Sequence, residues 1–144
     1  MSQDPAPTHA IDLRRLLAKS LVPFHDLLVE AERIPVGGRL EVDAPFEPVA
    51  LYAELRERGF GHTTTVEQGA VYHVTFVRVG VTAETTVAEA AARGRPVAQV
   101  LEAFGVRPGR HDALSLLAAA QLAGVESDQI LSGVQRAALG LLGG

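Results

Sequence analysis

Phe46-Glu47-Pro48-Val49-Ala50-Leu51-Tyr52-Ala53-Glu54-Leu55-Arg56-Glu57-Arg58-Gly59-Phe60 reads as a complete helix with both ends written in. Pro48 suits a first helical turn, where its missing N–H costs nothing. Pro48, Leu51, Tyr52, Leu55 and Gly59 follow the i, i+3, i+4, i+7 spacing that makes one buried stripe. Glu54 and Arg58 are spaced for an i,i+4 ion pair on the wet face. Gly59 suits the left-handed C′ position, and Phe60 is placed to fold back onto Leu55.

Strand-like stretches flank this helix. On its N-terminal side, Arg39 to Ala44 alternates with Leu40 and Val42 inward. Before that, Ser20 is placed to cap a helix that tolerates Pro23 in its first turn and runs through Phe24, Leu27, Leu28 and Ala31, ended by Pro35 and Gly37-Gly38. His9 to Leu16 alternates Ile11 and Leu13 against Asp12 and Arg14 and is predicted as a half-buried strand. Residues 1–8 are expected to be a mobile leader. On the C-terminal side, Gly61 to Glu67 and Ala70 to Val79 form a predicted hairpin turning at Gln68-Gly69. The order β-α-β-α-β-β over residues 9–79 implies an α+β two-layer domain, with two helices on one face of a four-stranded sheet.

After Gly80 the texture becomes Ala- and Leu-rich with helical spacing, which predicts a small all-α domain over 84–144 and a boundary at Val79 to Ala83. Thr86 and Glu89 form a capping box, and Pro96 opens a helix through Val97, Val100, Leu101 and Phe104. Asp112 is placed to cap a third helix ended by Gly124, and Ser127 a fourth.

Composition narrows the chemistry. The chain has 144 residues and no cysteine, which removes disulfides, thiolate nucleophiles and Cys-ligated metal centres together. A net charge of −4, with no run of basic residues, argues against nucleic-acid binding. No signal peptide and no membrane-length apolar run is present, so the expected location is the cytoplasm. No phosphate loop, metalloprotease motif or Ser-His-Asp order is present, and no cofactor and no enzymatic activity are expected.

Three groups of residues are site candidates. If residues 67 and 70 face each other across the hairpin, His73 lies opposite Thr64 and His62 opposite Thr75, on one face, a thin metal or haem site. Arg14, Arg15, Lys19 and Ser20 precede a helix N-terminus and suit a small anion, with Arg107, Arg110 and His111 as a second basic loop. The plainer reading is a capping serine beside solvated charges. Asp12, Asp43 and Glu47 are acidic, but their pairing is not readable from sequence. Val66, Val71 and Val77 are assigned to the open sheet face as an interface, and Tyr72, Val74 and Phe76 to the helix face. The last helix carries more apolar residues than one stripe holds, including Ile130, Val134, Leu141 and Leu142. A homodimer through residues 84–144 is therefore expected.

Residues 11–78 resemble the TusA-like domain of unknown function found near bacterial nitrite and nitric-oxide reduction genes. The resemblance is carried by Ile11-Asp12-Leu13-Arg14, Pro23-Phe24, Pro35-Val36-Gly37-Gly38, Phe46-Glu47-Pro48 with Leu51-Tyr52, Arg58-Gly59-Phe60 and Val74-Thr75-Phe76-Val77-Arg78. It implies the sulfur-carrier fold. The carriers' Cys-Pro motif corresponds here to Lys19-Ser20-Leu21-Val22-Pro23, which has no cysteine, so persulfide transfer is not implied. Residues 85–134 resemble the small helical (ScdA-like) domain at the N-terminus of iron–sulfur repair di-iron proteins, through Thr86-Val87-Ala88-Glu89, Pro96, Val100-Leu101, Phe104-Gly105-Val106, Leu114 and Gly124-Val125. That family's cysteine pair is replaced by Arg107-Pro108-Gly109-Arg110-His111. Together the resemblances imply a non-enzymatic binding or adaptor protein accessory to nitrogen-oxide or iron–sulfur metabolism. A metal- or haem-binding redox accessory using His62 and His73 is the alternative.

Overall fold

The computed structural model describes residues 8–67, 69 and 71–141. The expected leader therefore lies outside the described residues, except for Thr8. The chain divides into two compact units between Arg78 and Val79.

Unit 1 contains β1 (Thr8–Asp12), α1 (Leu13–Lys19), α2 (Pro23–Glu32), β2 (Arg39–Ala44), α3 (Val49–Glu57), β3 (Phe60–Glu67) and β4 (Val71–Arg78). The strands form one sheet in the order β1-β2-β4-β3, with β1 parallel to β2 and the other pairs antiparallel. The parallel pair requires a crossover, and α1 and α2 supply it.

The predicted first strand stops four residues early. Asp12 accepts a hydrogen bond from the Arg14 N–H at 3.0 Å and caps α1. Local capping chemistry overrides the alternation there, and Leu13 turns into the core as a helical residue. Ser20 closes α1 rather than opening α2: its N–H donates to the Leu16 carbonyl at 2.9 Å.

The organising helix forms as its sequence dictates. Leu51 and Leu55 are buried, and the Arg58 guanidinium meets the Glu54 carboxylate at 3.1 Å. Gly59 sits at φ +89°, a conformation that β-carbon sterics disfavour for other residues. The core gathers Leu27 and Ala31 from α2, Leu51 and Leu55 from α3, and Leu40, Val42, Phe60, Val74 and Phe76 from the sheet. One sheet face thus carries the helices, giving the α+β layer pair.

The hairpin register differs from expectation by one residue. Glu67 pairs with Val71, Thr65 with His73 and His62 with Phe76. Three residues, not two, lie between the paired ends, and Gly69 at the centre has φ +86°. Gln68 and Ala70 of the expected turn lie outside the described residues. A one-residue slip moves every side chain of a strand to the other face. Val66 therefore lies across from Tyr72 on the helix face, 59% exposed, while Val77 is only 4% exposed. The three valines do not form the expected continuous patch.

Unit 2 contains α4 (Val87–Ala91), α5 (Arg95–Ala103), α6 (Leu116–Ala123) and α7 (Ser127–Leu141). The capping box forms: Thr86 Oγ1 accepts from the Glu89 N–H at 3.1 Å, and Glu89 Oε1 accepts from the Thr86 N–H at 3.0 Å. Thr86→Ala is expected to destabilise unit 2 by about 1 kcal/mol, as cap removal does, with urea denaturation as the measurement. Those hydrogen bonds also hold the Glu89 carboxyl below its usual range.

The cap of α6 is Ser115, which accepts from the Ala118 N–H at 3.1 Å. Asp112 instead accepts from the Gly109 N–H at 2.7 Å and braces the preceding loop. Val79 and Val81, from the expected boundary segment, pack within unit 2. The Val79 carbonyl accepts from Arg93 at 2.6 Å, and the Val81 carbonyl from the buried Gln135 amide at 2.7 Å. Ile130 and Val134 are fully buried, because α5 and α6 both pack on α7 and a broad face is covered within the unit. They are core residues of unit 2 and not part of an exposed face. Leu141 is 43% exposed, and Leu142 lies outside the described residues. Among the described residues no helix is long and apolar enough to cross a membrane.

Candidate functional site

The register that separates the valines also separates the histidines. His62 is on the helix face, where its ring stacks on Tyr52 at 3.9 Å between centroids and 7° between planes. Tyr52 Oη hydrogen-bonds Thr64 Oγ1 at 2.6 Å and donates to Glu47 at 3.4 Å. Burial raises the Tyr52 phenol pKa above its ordinary value. His73 is on the opposite face of the sheet, so the expected His62–His73 metal or haem pair does not exist. Among the described residues no group of three or more His, Asp or Glu is disposed to hold a metal ion.

His73 belongs to a different constellation. On the open face the register sets Asp12, Asp43, His73 and Thr65 in one row across all strands. His73 Nδ1 bonds the Asp43 carboxylate of β2, and Nε2 faces Glu67 Oε2 of β3 at 3.2 Å. An imidazole thus bridges two carboxylates from the strands on either side. The hydrogen bond to Asp43, then the Glu67 carboxylate beside Nε2, raise its pKa above 6.5.

A group whose pKa is raised on folding binds its proton more tightly in the folded chain, so its stabilising contribution is greatest at low pH. The His73 contribution is therefore fully present below about pH 6.5 and disappears as pH rises through the folded pKa. Thermal melts across this window are expected to show stability falling with rising pH, and His73→Gln to remove that slope. An NMR titration of the His73 ring with a midpoint at or below the ordinary value would contradict the bridge.

This bridge lines a cavity of about 1030 Å³ in unit 1. Its wall takes Arg15 and Lys19 from α1, His25, Asp26 and Glu30 from α2, Asp12 from β1, Glu41 and Asp43 from β2, Glu67 from β3 and His73 from β4. Carboxylates outnumber the permanent cations in that lining.

The expected anion site does not assemble within it. The Arg14 guanidinium lies 3.5 Å from Asp12, and Arg15 lies 3.8 Å from the same carboxylate. Ser20 Oγ donates to Asp26 at 2.5 Å and accepts from the Val22 N–H at 3.1 Å. The Asp26 carboxylate thus takes the Ser20 hydroxyl that an anion needs, and Lys19 falls in the C-terminal turn of α1 and not at a helix N-terminus. The second basic loop is likewise committed: His111 Nδ1 accepts from the Arg107 N–H at 3.0 Å.

Sequence reasoning named Asp43 and His73 separately but not their pairing, which joins residues 30 positions apart. The findable signal was Phe60: a buried Phe60 puts residues 62, 64 and 66 on its own face, and so separates His62 from His73.

No curated protein and no solved structure matches the chain. Residues 10–78 match a family described as “Uncharacterized conserved protein (DUF2249)”, and the matched stretch contains the three helices of unit 1 and the Asp43–His73–Glu67 bridge.

Proposed function

We propose that this protein is a non-enzymatic binding or adaptor protein whose unit 1 holds a small organic cation, such as an alkylamine, in the cavity that His73 lines. The observation that carries this reading is the cavity's lining, which takes carboxylates from α2, β1, β2 and β3, with Asp43 and Glu67 on either side of His73. Opposite charge at close range favours a cation, and apolar side chains such as Val29 and Val74 suit its alkyl part. Both His73 nitrogens are directed to carboxylates rather than to a hydroxyl, which suits binding better than nucleophilic catalysis.

The resemblance of residues 11–78 to TusA-like domains, and of residues 85–134 to the ScdA-like helical domain, supports an accessory role near nitrogen-oxide or iron–sulfur metabolism. That support is by analogy of fold, which does not fix chemistry. With no cysteine, the chain is expected to take up no sulfur from a persulfide donor, and intact-mass analysis checks this.

The test is an NMR titration of the full chain with spermidine and, separately, with citrate. Saturable shifts confined to Glu41, Asp43, Thr65 and His73 with spermidine alone are expected, weakened by Asp43→Asn. Binding should tighten as pH rises and His73 loses the proton that offsets the carboxylates. Saturation by citrate instead, or by neither, overturns the reading.

A further inference from the structure

The sheet of unit 1 ends on two different edges. β1 is five residues long and runs straight into a capped helix at Asp12. β3 is eight residues long, and every position from Phe60 to Glu67 pairs in step with β4, with no bulge. Its sequence, Phe60-Gly61-His62-Thr63-Thr64-Thr65-Val66-Glu67, contains no lysine and no proline. Those residues, together with bulges and short length, are the usual means of keeping an edge from pairing with another chain. Among the described residues β3 pairs with no strand but β4, so the outer row of backbone N–H and C=O groups lies along an edge. Thr63, Thr65 and Val66 are exposed on it, and threonine and valine favour strands.

We propose that β3 is a self-association edge whose partner is a second copy of this chain, paired antiparallel about Thr64. This inference does not depend on a ligand in the cavity, although Thr65 and Glu67 of β3 also line it. The argument for a second copy is self-complementarity. A two-fold axis through Thr64 sets Thr63 against the partner's Thr65 and His62 against the partner's Val66. Residues of equal parity then meet, so helix face continues into helix face. Glu67, the one formal charge on the strand, falls opposite the partner's Gly61 and not opposite a second carboxylate. Val66, 59% exposed, gains a cross-strand neighbour. The pairing doubles the 4-stranded sheet across an edge that no other strand covers among the described residues, and an isologous two-fold contact is the commonest way for a chain to close on itself.

The experiment is sedimentation equilibrium on the full chain from micromolar to millimolar concentration. Wild type is expected to reach twice the chain mass of 15.2 kDa. The double variant Thr63→Lys with Thr65→Lys sets like charges opposite each other across the two-fold and is expected to stay at the single-chain mass. Thr63→Glu with Thr65→Glu is expected to do the same, and an equimolar mixture of the two variants should recover the doubled mass. Circular dichroism melts confirm that each variant is folded. Where a variant does not fold, hydrogen exchange on wild type decides: protection of amides in residues 63–66 should be lost on dilution. A wild type that stays at single-chain mass at millimolar concentration overturns the proposal. So does a lysine variant that still dimerises, or β3 protection that does not change on dilution.

Discussion

Replacing Phe76 by alanine is expected to be the most damaging single truncation in unit 1, costing about 3–5 kcal/mol. Phe76 is fully buried on β4, a strand flanked on both sides. Its ring lies 6.2 Å from Tyr52 of α3 and 5.9 Å from His62 of β3, in tilted arrangements. Its β-strand neighbours are Leu40 on one side and His62 on the other. Alanine would leave a cavity bounded by three elements, and none can close it without losing its own pairing. The measurement is urea denaturation followed at unit 1 resonances. Because the same ring supports the Tyr52–His62 stack, the Tyr52 hydroxyl should also exchange its hydrogen bond to Thr64 for water. A loss below about 1 kcal/mol would mean that the sheet carries its helices on the other face.

The second large effect is expected from Gly133→Val in α7, at about 1–3 kcal/mol of destabilisation. A β-carbon at Gly133 would stand 3.1 Å from Val100 Cγ1 and 3.2 Å from Phe104 Cε2. The two methyl groups of valine extend beyond that point into the packed α5 surface, so α5 and α7 must move apart. The ordinary helix-propensity gain from replacing glycine is smaller than this strain. Gly140 supplies the control in the same helix, since a β-carbon there meets nothing within 4 Å. Gly140→Ala should leave stability unchanged or raise it by up to about 1 kcal/mol. Thermal melts of both variants separate overpacking from a general intolerance of side chains on α7.

Much of the architecture was legible because it is written in short-range chemistry. The α3 stripe, its Glu54–Arg58 pair and Gly59 are readable from spacing alone, and so is the Thr86–Glu89 capping box. β2 alternates cleanly, and Leu40 and Val42 go inward as expected. The candidate site was much less legible. Asp43 and His73 lie far apart in the chain, and their meeting requires β2 to sit beside β4, a placement no local pattern states. Ser20 illustrates the opposite error. A serine three positions before a proline looks like a helix cap, but Asp26 competes for its hydroxyl.

What the sequence determined by itself is therefore most of the elements, α1 excepted, their inward residues where apolar and polar positions alternate, and the absence of thiol chemistry. Helix caps and stripes depend on contacts within a few residues, so the chain states them locally. What only the tertiary structure decided is register and partnership. His62-Thr63-Thr64-Thr65 has no apolar alternation to choose a face, so a three-residue rather than a two-residue connection set which side each residue took. That one residue put His62 against Tyr52 and left His73 to bridge Asp43 and Glu67. In the helical unit the apolar excess of α7 was plain from sequence, but whether a second chain or α5 and α6 covered it was not. Ile130 and Val134 are equally apolar in either case, and only the packing of neighbouring helices distinguishes a core from an interface.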